Sequence, residues 1–433
     1  MSAQQALPAS IRGFSIASNI VSDDTNDNVD ITKGIISFQY FETMLNDTKS
    51  MIVTFTDTGG SVNGMSVLDG LPLVGGEKCL IKIVDNYGNE MDDIILYVNS
   101  VTPMVTSDKA QIVTLNLVSK EYLLNEKISI YKRFDGHISN AIKKILTDEL
   151  LTEKTLDIEE SSEDEYSFVG NGKKPFYVMN VQSKKAIPGQ NLKGKSAGFF
   201  LWETHKGYHF KSIETLLGQK HKVKIVYTGT NYSDDSDILK ALTFRKDVSS
   251  AVDSKGKIGS RNMKMVFFDP FTTFYGTSIQ TGDGYVDNLT LGGEKLPTQS
   301  PEIARPGKLE EVTRTTYAIL DTGTLPQGDT TQQLQKSYTR AFDAFKVTNQ
   351  ATMRYNQFFT FKVECTIAAN FSLNAGDAVY VDSPKLTTGK TDNYDSEYGG
   401  LYIISELCHQ LTPTGSFTKL NLVRDSIGRV APQ

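Results

Sequence analysis

Two stretches near opposite ends of the chain repeat one pattern. "LYVNSV" with "TLNLVS" at 96–119, and "LYIISE" with "KLNLVR" at 401–424, each spell L-Y-x-x-S, a 14-residue gap and L-N-L-V. Leu96, Tyr97, Ser100, Leu115, Asn116, Leu117 and Val118 thus align without a gap on Leu401, Tyr402, Ser405, Leu420, Asn421, Leu422 and Val423. Just upstream, "LPLVGGEKCLIKI" and "FSLNAGDAVYV" each run a Gly-then-acid turn into a strand-like segment, though with different spacing. A pattern that returns after roughly 300 residues predicts two similar β domains bracketing the middle of the chain.

The rest of the sequence agrees with a mainly β chain. "SMIVTFTDTG", "CLIKIVDNYGNEM", "IILYVNSV" and "IVTLNLVS" alternate apolar and polar residues and stop at Gly, Asn or Asp, the pattern of short half-buried strands. Three segments carry helical spacing instead. They are "DGHISNAIKKILTDEL", with Ile138, Ile142, Ile145 and Leu146 on one stripe, "KPFYVMNVQSKKAI", and "TQQLQKSYTRAFDAFKV", with Leu334, Tyr338, Ala341, Phe342 and Phe345. Pro175 suits a first helical position, where its missing donor costs nothing. Polar stretches at "EKTLDIEESSEDEYS", "SDDSD", "DVSSAVDSKGKIGS" and "GGEKLPTQSPEIARPG" mark loops or boundaries.

Length and charge narrow the function. A chain of 433 residues has room for two to four domains. A net charge of -6 lacks the basic footprint of a protein that grips phosphate backbones. The start "MSAQQALPAS" shows no export signal, and no stretch reaches the ~18 apolar residues of a membrane span, so the expectation is a protein made in a cytoplasm. Cys79, Cys365 and Cys408 lie far apart inside alternating segments and read as reduced, buried thiols.

Several motifs suggest chemistry, and each is better explained by structure. Gly189, Gly194, Lys195 and Ser196 match the phosphate-loop pattern G-x-x-x-x-G-K-[ST]. A phosphate loop must follow a strand and open a helix, whereas here a helical segment comes before, Pro188 ends it, and "AGFFLWETHKGYHFKSI" reads as strand-turn-strand. Asp269 closes "MVFFD" like a magnesium-holding partner, but Pro270 follows at once, which reads as a turn. In the 199–213 hairpin a three-residue "HKG" turn places Phe200, Trp202 and Thr204 with Tyr208, Phe210 and Ser212 on a core face. Glu203 then faces His209 as a solvated salt pair, with His205 in the turn. Cys408 and His409 are neighbours on one strand and so point to opposite faces, predicting a buried thiol and a half-exposed imidazole. Asp24, Asn26 and Asn28 have calcium-loop spacing, but Val29 and Ile35 occupy the required Gly and Glu positions. "EESSEDE" reads as a solvated acidic loop. The sequence therefore assigns no catalytic, no cofactor-binding and no metal-binding residues, and no cofactor.

Taken in order, "DGLPLVGGEKCLIKI", "TLNLVSKEYLLNEKISIYKRFDGHISNAIKKIL", "FVGNGKKPFYVMN", "SAGFFLWETHKGYHFKSIETL", "FSLNAGDAVYVDSP" and "GGLYIISELCHQLTPTGSFTKLNLVRDSIGR" resemble the baseplate central hub proteins of contractile-tailed bacteriophages, relatives of the hub part of type VI secretion spikes. The resemblance spans nearly the whole chain and is poorest over 218–340. It implies a mainly β (α+β) fold: two homologous antiparallel β-barrel tube domains with smaller α+β and inserted domains between them. Its domains would be a first barrel at 1–119, an α+β domain at 120–217, a second barrel from 218–250 and 340–428, and an insertion at 251–339. It further implies a non-enzymatic virion protein of the tail baseplate. That protein would be a homotrimeric ring adapting the sixfold tail tube to the threefold spike, with DNA passing through its bore unbound during ejection. Its partners would be the central spike protein, tail tube or tube-initiator proteins and baseplate wedge proteins, without membrane insertion. A P-loop nucleotide hydrolase and a β-rich adhesin are the alternatives.

Overall fold

The computed structural model describes residues 9–19, 28–60, 62, 64–107, 110–162, 166–189, 196–227, 238–247, 260–270, 273–281, 289–297, 314–320, 323–325, 327–339, 342–383, 395 and 397–429. Asp24, Asn26, Gly194, Lys195 and Ala341, together with all of "SDDSD" and all but the two end residues of "DVSSAVDSKGKIGS", lie outside these.

Alternation builds the first barrel. Its strands are β1 (Ser10–Ala17), β2 (Asn28–Asp30), β3 (Ile35–Thr43), β4 (Ser50–Asp57), β5 (Lys78–Val84), β6 (Glu90–Ser107) and β7 (Ala110–Val118). Because side chains alternate across a strand, Val113, Leu115 and Leu117 of β7 point inward with Met51, Val53 and Phe55 of β4 and Phe38 and Tyr40 of β3, all buried. The order is β3-β4-β7-β6-β5-β1-β2. The turn that precedes β3 approaches β1 through two hydrogen bonds, Ile31 N–H to the Phe14 carbonyl (2.9 Å) and Phe14 N–H to Thr32 Oγ1 (2.8 Å).

The second barrel uses β13 (Val223–Val226), β14 (Ile238–Asp247), β18 (Phe361–Ala368), β19 (Ala378–Asp382), β20 (Gly400–Thr412) and β21 (Gly415–Arg424). The ring runs β14-β18-β21-β20-β19-β13 and closes because β13 pairs in parallel with both β19 and β14. The expected mainly β fold with barrel closure is present. The barrels share one 13-stranded sheet, joined where β20 pairs antiparallel with β3, from Glu406 opposite Thr43 to Leu411 opposite Phe38.

The two barrels repeat each other in detail. The order β3-β4-β7-β6-β5 returns as β14-β18-β21-β20-β19. Both first strands bulge at the same place, at Ile36 and at Leu242, and both long strands bulge at Asn99 and at Ser405. The Gly-then-acid turn is also common to both. Gly76 and Gly376 take φ of 86° and 90°, a left-handed conformation that favours glycine. They donate to the carbonyls of Val98 (2.7 Å) and Ile404 (2.8 Å). The letter match of the sequence, however, is one residue out along the L-Y-x-x-S strand. Leu96 and Val98 face the first core, and their counterparts facing the second are Tyr402 and Ile404, while Tyr97 is only half-buried. A second bulge, at Thr106, gives the first hairpin one extra residue, and an ungapped alignment absorbs that residue by slipping.

Between the barrels lie α2 (Lys120–Lys127), α3 (Ile138–Lys144) and α4 (Pro175–Ser183), with β8 (Arg133–Phe134), β9 (Leu156–Ile158) and β10 (Phe168–Val169); α1 is the short turn Val67–Gly70 in the first barrel. Pro175 opens α4 as its sequence predicts. Hairpin β11 (Phe199–Thr204) and β12 (Gly207–Ser212) leads into α5 (Ile213–Gly218), capped by Ser212 Oγ accepting from Thr215 N–H (3.1 Å). A further sheet of β15 (Asn262–Asp269), β16 (Phe274–Thr281) and β17 (Thr315–Ile319) buries Met263, Met265 and Phe267 and exposes Phe268, Tyr275, Tyr317 and Ile319. The single helix expected over 331–347 is two, α6 (Thr330–Thr339) and α7 (Ala344–Phe358). Asp343 starts the second by accepting from Phe345 N–H (3.1 Å) and Lys346 N–H (3.2 Å), the work of an N-cap.

All three cysteines are free; Cys79 and Cys365 are buried and Cys408 half-buried. Burial pushes the Cys365 thiol up to about 12 and Cys408 to about 11. Since the thiolate is the nucleophile, a disulfide reagent at pH 8 is expected to label few or none of them in the native protein and all three in denaturant. Rapid native labelling of Cys79 or Cys365 would contradict the packing.

Candidate functional site

The tip of the β11–β12 hairpin wedges into the seam where the barrels meet. The hairpin differs from its sequence expectation. Thr204 pairs with Gly207, so the turn is the two residues His205 and Lys206, and Trp202 faces His209 while Glu203 faces Tyr208. One residue fewer in the turn flips the face of one strand. All six residues of β11 are buried, because both faces are covered. Phe199, Leu201, Tyr208 and Phe210 pack into the α+β core, whereas Phe200 and Trp202 pack on the second barrel with Ile403, Val423 and Phe358. Trp202 Nε1–H donates to the Ala375 carbonyl (2.9 Å) and its ring stacks on His209.

Glu203 is correspondingly no solvated pair. It is fully buried, and its carboxylate accepts from Ser119 Oγ (2.5 Å) and Lys49 N–H (3.3 Å) and meets the ammonium groups of Lys154 (2.7 Å) and Lys49 (3.4 Å). Lys154 also reaches Glu121 (2.5 Å). Burial opposes the Lys154 charge, but Glu203 and Glu121 outweigh it and raise its pKa.

Glu42 makes the second contact. It falls on the inward face of β3, and its Oε1 accepts from Tyr40 OH (2.7 Å) and His205 N–H (2.7 Å) and its Oε2 from Ala375 N–H (3.0 Å). First barrel, hairpin and second barrel thus meet on one carboxylate. Burial pushes Glu42 up, yet its hydrogen bonds and the neighbouring His205 prevail and hold it at about 2. A third cluster fixes α7 to the second barrel: Arg354 meets Asp425 (2.6 Å) and donates to the Thr290 carbonyl (2.7 Å), and Glu214 lies 3.7 Å away.

The motifs singled out in the sequence are scattered over the molecule. Ser196 is buried and donates to Glu214, and β11 follows it where a phosphate loop requires a helix. Asp269 is buried at the end of β15. Asn28 begins β2. In "EESSEDE", Glu159 accepts from Ser212 N–H (2.9 Å) and Oγ (2.8 Å), and Glu163, Asp164 and Glu165 lie outside the described residues. Among the described residues, no group of three or more His, Cys, Asp or Glu side chains is placed to hold a metal ion, and no helix is long and apolar enough to cross a membrane.

The Cys408 and His409 expectation is reversed: the imidazole is fully buried and the thiol half-buried. The strand alternates as expected, but its inward phase is the odd one. His409 Nδ1 lies 2.9 Å from Thr418 Oγ1 between Tyr40 and Phe371, and burial lowers its pKa to about 4. A folded value below the unfolded one means the unfolded chain takes up a proton first as pH falls. Stability is therefore full above about pH 6.5 and declines towards about pH 4, by on the order of 3 kcal/mol from this group; Glu42 extends the loss from about 4.5 towards about 2. Denaturant midpoints at pH 7 and pH 5 are expected to fall less in His409→Gln than in the parent. Equal falls would exclude His409 as the source.

No family model matches the sequence, and no curated protein does. Solved structures with the same fold do exist. The 43 kDa tail protein of prophage MuSo2 from Shewanella oneidensis is 10% identical, with a TM-score of 0.52 over 96% of this chain and 100% of that one. The tail protein from Neisseria meningitidis MC58 is 9% identical, with a TM-score of 0.53 over 95% and 96%. This chain has the tail-protein fold. The duplicated barrels, their shared sheet and the wedged hairpin are how this sequence builds that tail-protein fold, and the agreement with the resemblance read from the sequence is an agreement about architecture.

Proposed function

We propose that the chain is a structural subunit of a phage tail baseplate, the central hub, with no enzymatic activity. Three copies would form a ring of six similar barrels between the sixfold tube and the threefold spike, and DNA would pass through its bore. The domains at 1–119 and at 218–250 with 340–428 would supply the barrels, while 120–217 and 251–339 would lie between and beside them. Spike, tube or tube-initiator and wedge proteins would be the partners, in the virion baseplate.

The observation that carries this reading is the duplication. Two barrels with one strand order, the same bulges and the same glycine turn sit side by side in one sheet, so one chain offers two near-equivalent positions. A threefold ring of such chains presents six, and head-to-tail contacts that close leave no open end. The buried ion pairs at the seam support a rigid spacing between the barrels. The fold of the tail proteins described above points the same way. Light scattering of the purified protein tests the stoichiometry: the reading requires three times the 47.9 kDa chain mass, and a stable dimer would contradict it.

A further inference from the structure

Within the chain, the barrels are joined by β20 pairing with β3, including Gln410 opposite Gln39 and Leu411 opposite Phe38. The duplication gives each partner a counterpart. The counterpart of β20 is β6, and that of β3 is β14, matched through the shared bulges and neighbouring strands. On this correspondence Met104 stands for Gln410 and Arg245 for Gln39, while Val105 stands for Leu411 and Phe244 for Phe38. Among the described residues, neither counterpart has the corresponding neighbour. Past Tyr97, where β5 ends its pairing, β6 has one strand partner among the described residues, β7. Past Lys240, where β13 ends its pairing, β18 is the one strand partner of β14 among the described residues.

We propose that these two edges are the subunit interface: β6 of one copy pairs antiparallel with β14 of the next, Met104 opposite Arg245 and Val105 opposite Phe244, reproducing between chains the join that β20 and β3 make within one. The occupant is a second copy of this chain, because the same chain already shows that join in its other half. An edge strand left open invites pairing. Arg245 and Lys246, the charges that could guard β14, are engaged within their own chain, by Glu364 at 3.7 Å and Asp395 at 2.5 Å. Pro103 occupies the position of His409 and has no N–H for a ladder. The join between chains is therefore expected to carry fewer main-chain bonds than the one within. This inference rests on the ring reading and gives it a register.

The test is a Met104→Cys/Arg245→Cys double variant of the full chain, oxidised and run without reductant. Both side chains are exposed, so the substitutions leave the core intact. The single variants are controls, and Gln39→Cys/Gln410→Cys reports the same pairing within a chain. The expected result is a disulfide-linked ladder ending at three chains that needs both new cysteines. A three-chain mass in solution without that ladder, while the control pair closes, overturns the pairing and leaves the ring standing. A one-chain mass without linkage overturns the ring reading and the pairing together.

Discussion

Replacing Trp202 by alanine is expected to destabilise the protein by about 3 to 5 kcal/mol, through lost burial and the cavity left behind. Trp202 is 2% exposed and bridges two cores, stacked on His209 on one side and packed against Gly376 on the other. The substitution also leaves the Ala375 carbonyl without its donor. Because Gly376 opens the turn before β19, the loss should reach the second barrel as well as the hairpin. Denaturant unfolding followed by far-UV circular dichroism measures the effect. A midpoint equal to that of the parent protein would place Trp202 at a surface and contradict the seam.

Glu203→Ala is expected to cost a similar amount, about 3 to 5 kcal/mol, for a different reason. Removing one member of a buried charge cluster leaves its partners charged and desolvated, here chiefly Lys49, 5% exposed at its side chain, because Lys154 keeps Glu121. Ser119 and the Lys49 N–H lose their acceptor as well. A second substitution separates charge from shape. Lys49→Met in the Glu203→Ala background should recover part of the loss, since it removes a stranded ammonium whose carboxylate partner is gone. No recovery in a thermal or denaturant melt would show that packing alone sets the cost.

The barrels were legible because both faces of their strands have distinct company, so Leu115 and Leu117 alternate with polar neighbours and so do Leu420 and Leu422. The strand containing Tyr402 was harder to read, since one extra bulge at Thr106 shifts the frame and only main-chain pairing reveals a bulge. The hairpin misled for the opposite reason. With every residue of β11 buried, alternation carries no signal, and the turn length alone decides whether Glu203 meets His209 or Tyr208. Helix α7 was missed past residue 347 because its buried face is largely polar: Asn349, Gln350, Arg354 and Gln357 are all buried, with hydrogen bonds to Ser278, Ala197, Thr290 and Ser260. A polar buried face has no hydrophobic period. The seam around Glu42 and Glu203 was out of reach for the same reason. Its members come from β3, the turn before β4, the hairpin and the approach to β19, and no local spacing links them. One weak signal existed, an acid at the inward phase of β3 two residues after Tyr40.

On the proposed reading, three duplicated chains make a ring that presents six near-equivalent barrels. An averaged end-on particle image of the purified protein decides this. The expected view is a closed ring with six similar lobes alternating around a threefold axis. A twofold particle, or a threefold one in which the two barrels of each chain lie at different radii, would contradict it.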